Sequence, residues 1–230
     1  MKIIVCGDSF LTPDIRYPGA HFSEILANKH NHEVINLARG GMSNTGICFQ
    51  FEQAVKLHPD IIIYGQTDSG RMAIPTGNFV RENGLKNFRY TDKVSATCNS
   101  EYVGDSNAPI VDDVMASLLK DSCWTTLSNT NKYNLTNEQR EAIRQYITYL
   151  HDAELKEAMD GWAISYWRLF ARHNGIGLLR YWDYMQKAGV DNAFKSQCVF
   201  HTTLQEQINT AELIAIDLQN NIIGEKPFTY

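Results

Sequence analysis

The sequence predicts a three-layer α/β/α sandwich on a parallel sheet. Two continuously apolar runs, KIIVC (2–6) and DIIIYG (60–65), read as strands covered on both faces, as in a parallel sheet. Between and after them lie segments whose apolar residues recur at helical spacing. Strand, helix, strand, helix, strand within the first 65 residues implies right-handed βαβ units.

Each element has its own signature. HFSEILANKH (21–30) carries Phe22, Ile25 and Leu26 at helical spacing, and HEVINLA (32–38) centres a second strand on Val34 and Ile35. SNTGICFQFEQAVKLH (43–58) reads as a helix starting at a Ser or Asn cap and packing Ile47, Phe51 and Val55. Residues 69–134 are polar and rich in Gly, Asn and Asp, with one apolar segment at 110–119; they read as an insertion with some local helix, of a length that often covers a site. Helical periodicity returns at 137–150 and continues through 154–173. There Leu155, Met159, Trp162, Tyr166, Trp167 and Phe170 form an apolar stripe expected to be core. HNGIGLLRYW (173–182) ends that helix at Asn-Gly and enters a fourth strand, a loop follows at 183–200, and 203–222 forms the last helix. The expectation is one domain, residues 1–230, with an insertion.

Composition excludes several classes. A length of 230 residues suits one sizeable domain, and 43% hydrophobic with 20% charged residues is ordinary for a globular chain. Net charge is −5 with no basic block, which argues against nucleic acid as a partner. The start lacks the apolar core and cleavage site of a signal peptide, and no stretch approaches a membrane span, so a cytoplasmic, non-membrane protein is expected. The five cysteines are odd in number, scattered and without a CxxC pair, as for reduced core-like residues. The N-x-[ST] matches around SNTNKYNLTN read as polar loop.

In an open parallel sheet, ligands meet the carboxyl ends of the strands. Four polar or glycine-bearing stretches fall there: GDSF (7–10), NLARGGMSN (36–44), GQTDSGR (65–71) and FHTT (200–203). In the first, Gly7 allows an unusual backbone angle or close approach, while Ser9 either caps the next helix or points a nucleophile at a substrate. In the second, paired glycines expose backbone N–H groups as an oxyanion hole requires, although a tight turn explains them too, and Asn36 could fix that turn. In the third, Thr67 offers a hydroxyl donor, and Asp68 and Arg71 could orient a loop, pair together or contact substrate. In the fourth, His201 precedes the terminal helix, where a general base could reach Ser9. His21, His30, His32 and His58 read as ordinary, partly exposed residues beside helices. No histidine or cysteine spacing indicates a metal, and GxGxxG is absent after the first strand.

These stretches, in this order, resemble the sequence blocks of the SGNH (GDSL-type) hydrolase superfamily from Gly7 to His201. The resemblance implies a flavodoxin-like sandwich and a serine esterase or carbohydrate O-deacetylase that needs no metal or organic cofactor. Ser9 matches the nucleophile and one oxyanion donor, Gly41 the second donor, and His201 the base. Thr67 stands where the family has the asparagine that supplies the third donor, with Asp8, Asp68 and Arg71 as supporting or substrate-orienting residues. Two positions depart from the pattern. Losing a donor such as that asparagine typically costs about 10²–10³ in rate unless Thr67 or Arg71 substitutes. The triad's acid, three residues before the histidine, is here Cys198; a backbone carbonyl, Asp183 or Asp191 would have to orient the imidazole instead. The threonine and nearby arginine also resemble small SGNH-like proteins of bacteriophages, which would place the chain in a virion or host cytoplasm with virion or other protein partners. The alternative function is a non-catalytic binding or structural module on this fold. A flavodoxin-like nucleotide binder is a third reading, opposed by Asp8, whose charge would repel phosphate.

Overall fold

In the computed structural model the residues described are 1–13, 17–39, 42–67, the strand backbones 71–75 and 110–115, positions 138, 141–142, 145–146 and 149–150, and residues 152–189 and 202–228. Four strands, β1 (Lys2–Cys6), β2 (Glu33–Asn36), β3 (Ile61–Tyr64) and β6 (Gly177–Arg180), form a parallel sheet in the order β2-β1-β3-β6. Ile3 stands beside both Val34 and Ile61, and Ile61 beside Gly177. The outer edge of β6 is covered by the C-terminal tail, where Leu178 and Glu225 exchange N–H···O bonds of 3.0 Å. That pairing removes an open strand edge.

Alternation along the strands divides the core in two. Ile3, Val5, Ile61, Ile63 and Leu179 face one side, packed by α1 (Phe22–Asn28), α4 (Tyr181–Lys187) and α5 (Leu204–Gln219). Ile4, Cys6, Ile62, Tyr64 and Leu178 face the other, packed by α2 (Asn44–Lys56) and α3 (Ala153–His173). The predicted three-layer α/β/α sandwich is therefore the observed architecture.

The helix ends follow local chemistry. Ser43 caps α2, its hydroxyl accepting from Gly46 N at 3.2 Å, and Thr203 caps α5 in a reciprocal box with Glu206. Helix α3 stops at Asn174-Gly175, with Gly175 at φ +78°, a conformation that favours glycine.

Three expectations need correction. The stripe on α3 is not core: Leu155, Met159, Trp162, Tyr166 and Phe170 are 39–68% exposed. The helix presents a second apolar face, Ile164, Trp167 and Ala171, and it is this one that packs against α2 and the sheet. At about 100° per residue, Trp162 points away from whatever Ile164 packs on. The supposed loop after β6 begins with α4, a short helix burying Tyr181, Tyr184 and Met185 at i, i+3, i+4. His21 is buried, at 1% exposure, and serves as the N-cap of α1. In the insertion the described backbone is an antiparallel pair, β4 (Arg71–Pro75) with β5 (Ile110–Met115), and the expected local helix lies outside the described residues.

Candidate active site

The sheet order creates the crevice. From β1 the chain crosses one face through α1 to β2, then the opposite face through α2 to β3, which returns to the other side of β1. The carboxyl ends of β1 and β3 thus flank the topological switch point, where open α/β sheets bind ligands.

GDSF leaves β1 there as a tight turn. Leu11 N donates to Asp8 O at 3.1 Å, and Thr12 Oγ1 donates to the same carbonyl at 3.0 Å. Ser9 sits half-buried inside this turn. Among the described residues it caps no helix, and α1 begins at Phe22 with His21 as its cap. Asp8 is buried, and its carboxylate accepts from Phe10 N at 3.0 Å and from Thr67 Oγ1 at 2.9 Å. The second bond joins the loops after β1 and β3 across the switch point. A threonine hydroxyl has one proton to donate, and here it donates it to Asp8.

Both strand-end glycines are explained by a single side chain. A Cβ on Gly7 would come within 2.8 Å of Leu11 Cδ1, and one on Gly65 within 2.7 Å of the same atom. Leu11 is fully buried and bridges the ends of β1 and β3. Close approach, not a special backbone angle, is what the two glycines permit.

Three buried carboxamides fasten the loops. Gln50 of α2 accepts from Gly7 N at 2.6 Å and donates to Gly7 O at 3.0 Å. Asn44 does the same for Thr67, accepting from its N–H and donating to its carbonyl, each at 3.0 Å. Asn36 donates to Leu11 O at 2.7 Å and accepts from Ala38 N at 2.9 Å, so it does fix the turn after β2. Asn44 also donates to Asp160 Oδ2 at 3.1 Å, and Lys156 donates to both oxygens of Asp160 at 2.5 Å. Asp160 carries a further consequence: burial, reinforced by its charge, pushes the Cys48 thiol up to about 12, so that thiol stays protonated at neutral pH.

The wall beyond β3 comes from α4. Trp182 Nε1 donates to Gln66 O at 2.7 Å, and its ring meets Phe10 edge-on at 5.2 Å. Beside it, Tyr181 is wholly buried against Phe22, and burial holds its phenol well above the ordinary value. Gln207 of α5 accepts from Phe22 N at 2.9 Å and donates to Thr202 Oγ1, so the buried residue that follows His201 is tied to the start of α1.

The structure thus brings Asp8, Ser9 and Thr67 together at one crevice. Asp183 is exposed on α4, 3.7 Å from Arg180. Gly41, Asp68, Asp191, Cys198 and His201 fall outside the described residues, and only the backbone of Arg71 is described, at the start of β4. Sequence reasoning missed Gln50, Asn44, Leu11 and Trp182. Gln50 was detectable: it falls with Ile47, Phe51 and Ala54 on the buried face of α2, where a polar residue needs a specific partner. Among the described residues no cluster of three His, Cys, Asp or Glu could hold a metal ion, and no helix is long and apolar enough to cross a membrane.

No protein-family model matches this chain, and no curated protein matches it. Among solved structures it is similar to a candidate lipolytic protein of the G-D-S-L family from Desulfitobacterium hafniense DCB-2. That similarity has 11% identity and a TM-score of 0.38, over 94% of this chain and 98% of the other. A likeness of this size carries no weight for fold or chemistry. The protein class rests on the chain's own features, a doubly wound parallel α/β sheet with a serine turn at its switch point.

Proposed function

We propose that the protein is a serine ester hydrolase of SGNH type, acting on a small acyl ester such as an O-acetylated carbohydrate, without metal or organic cofactor. The observation that carries this reading is the Asp8–Thr67 hydrogen bond, which holds the Ser9 turn against the loop after β3 at the switch point. The anchoring of Thr202 to the start of α1 adds support, because it fixes the chain on the far side of His201.

In this mechanism Ser9 Oγ attacks the ester carbonyl while His201 takes the hydroxyl proton. The N–H groups of Ser9 and Gly41 stabilise the oxyanion. Thr67 joins them by turning its hydroxyl from Asp8 to the substrate oxygen. Collapse of the tetrahedral intermediate breaks the bond to the alkoxide, which leaves with the proton from His201. Water, deprotonated by the same imidazole, then releases the acyl group as the acid and restores Ser9. A small acyl group suits a chain in which no apolar lid helix is evident from the sequence.

The test uses a fluorophosphonate probe and p-nitrophenyl acetate. Wild-type protein is labelled and turns over; Ser9→Ala abolishes both while its far-UV circular dichroism matches wild type, and His201→Ala lowers turnover by about 10²-fold or more. Hydrolysis surviving in Ser9→Ala would overturn the assignment. A second reading, a non-catalytic binding module, draws on two departures from the family pattern: Thr67 stands where the asparagine belongs, and Cys198 where the acid belongs. Absence of labelling and turnover in folded wild-type protein selects it.

A further inference from the structure

The outward face of α3 carries an exposed apolar stripe that the proposed chemistry leaves unused. Leu155, Met159, Trp162, Tyr166 and Leu169 follow one another at steps of four, three, four and three residues. This is the 3.5-residue seam of a helix that lies along another helix. These five side chains and the adjoining Phe170 are 39–68% exposed, with Trp162 the most open. The helix does not need this face for its own fold, because Ile164, Trp167 and Ala171 already pack it onto α2 and the sheet.

Area favours a protein partner. With a large aromatic side chain worth about 150–250 Å² and Leu or Met somewhat less, the stripe offers on the order of 600 Å² of apolar surface. That is at the upper limit for the largest patch on a typical monomer, and approaches the roughly 800 Å² per partner of a standard interface. The positions flanking the seam include Ala158 and Ser165, small residues that permit close helix approach.

We infer that this face is a self-association surface, on which two copies pack α3 against α3 about a two-fold axis near Trp162. Symmetry suits the stripe, because Trp162 is its middle residue and a two-fold interface sets the same patch against itself. An antiparallel crossing centred on Trp162 sets Leu155 of one copy beside Leu169 of the other, both exposed. The same arrangement opposes the two helix dipoles favourably.

Sedimentation velocity over a concentration series, on the full chain, tests this independently of any activity. The expected result is a reversible monomer–dimer equilibrium. Trp162→Glu weakens dimerisation by about 30-fold or more, as loss of a central aromatic anchor does, whereas Gln186→Glu, exposed on the opposite layer, leaves it unchanged. Trp162→Cys forms an intermolecular disulfide under mild oxidation, and Gln186→Cys does not. Far-UV circular dichroism matching wild type shows that the variants fold. A monomer at every concentration, or a dimer indifferent to Trp162→Glu, overturns the inference and assigns the stripe to another contact.

Discussion

Replacing Thr67 with valine removes one hydroxyl and little volume, and the lost proton is the one that joins the loops after β1 and β3. The bond is 2.9 Å long and ends on a carboxylate that is 1% exposed. Hydrogen bonds to charged groups contribute about 1.5–3 kcal/mol. Thr67 is only half-buried, which places the expected loss in the lower half of that range, about 1.5–2 kcal/mol. For a domain of this size each kcal/mol moves Tm by about 2–4 °C, so Thr67→Val melts about 3–8 °C lower. Asp8→Ala also removes the carboxylate that accepts from Phe10 N–H, and so costs more. A double-mutant cycle removes that difference, and urea unfolding followed by tryptophan fluorescence should give a coupling of about 1–2 kcal/mol between the two positions. In the esterase reading, Thr67→Val also lowers kcat for p-nitrophenyl acetate by about 10²–10³-fold. A coupling below about 0.5 kcal/mol, the ordinary error of additivity, would refute the claim that this bond holds the crevice together.

Gln50→Leu leaves the buried Gly7 N–H without its acceptor, and should cost about 1–3 kcal/mol, seen as a lower urea midpoint; a midpoint within about 0.5 kcal/mol of wild type would show that the carboxamide does not support the turn. Alkali should destabilise the fold through buried acids. Burial raises the thiols of Cys6 and Cys48 above their ordinary 9.0 and the phenols of Tyr64, Tyr181 and Tyr184 above 10.0. The unfolded chain releases these protons first, so their contribution is complete below pH 9.0 and fades as pH climbs toward the Cys48 value of about 12. Urea midpoints that stay flat from about pH 8 to 11 would contradict this.

Much of the architecture was legible because parallel-sheet strands are buried on both faces and declare themselves as unbroken apolar runs. KIIVC and DIIIYG are such runs, and the helices between them show the 3.6-residue period. The crevice was legible as well, since the carboxyl ends of parallel strands follow from strand order, and Gly7-Asp8-Ser9 and Thr67 lie at two of them. What periodicity could not decide was which apolar face of α3 packs inward. Both faces have helical spacing, and only contact with α2 selects Ile164, Trp167 and Ala171 and leaves Trp162 outside.

Composition and local pattern, by themselves, determined the sandwich, its strand–helix alternation and the serine turn after β1. Tertiary structure alone decided how that turn is held: Leu11 wedged over two glycines, Gln50 clamping Gly7, and Asp8 accepting a hydrogen bond from the hydroxyl of Thr67, 59 residues away. Local sequence reports backbone preference and burial, which depend on near neighbours. A hydrogen bond between distant loops depends on which strands lie side by side, and that is settled only when the whole sheet has formed.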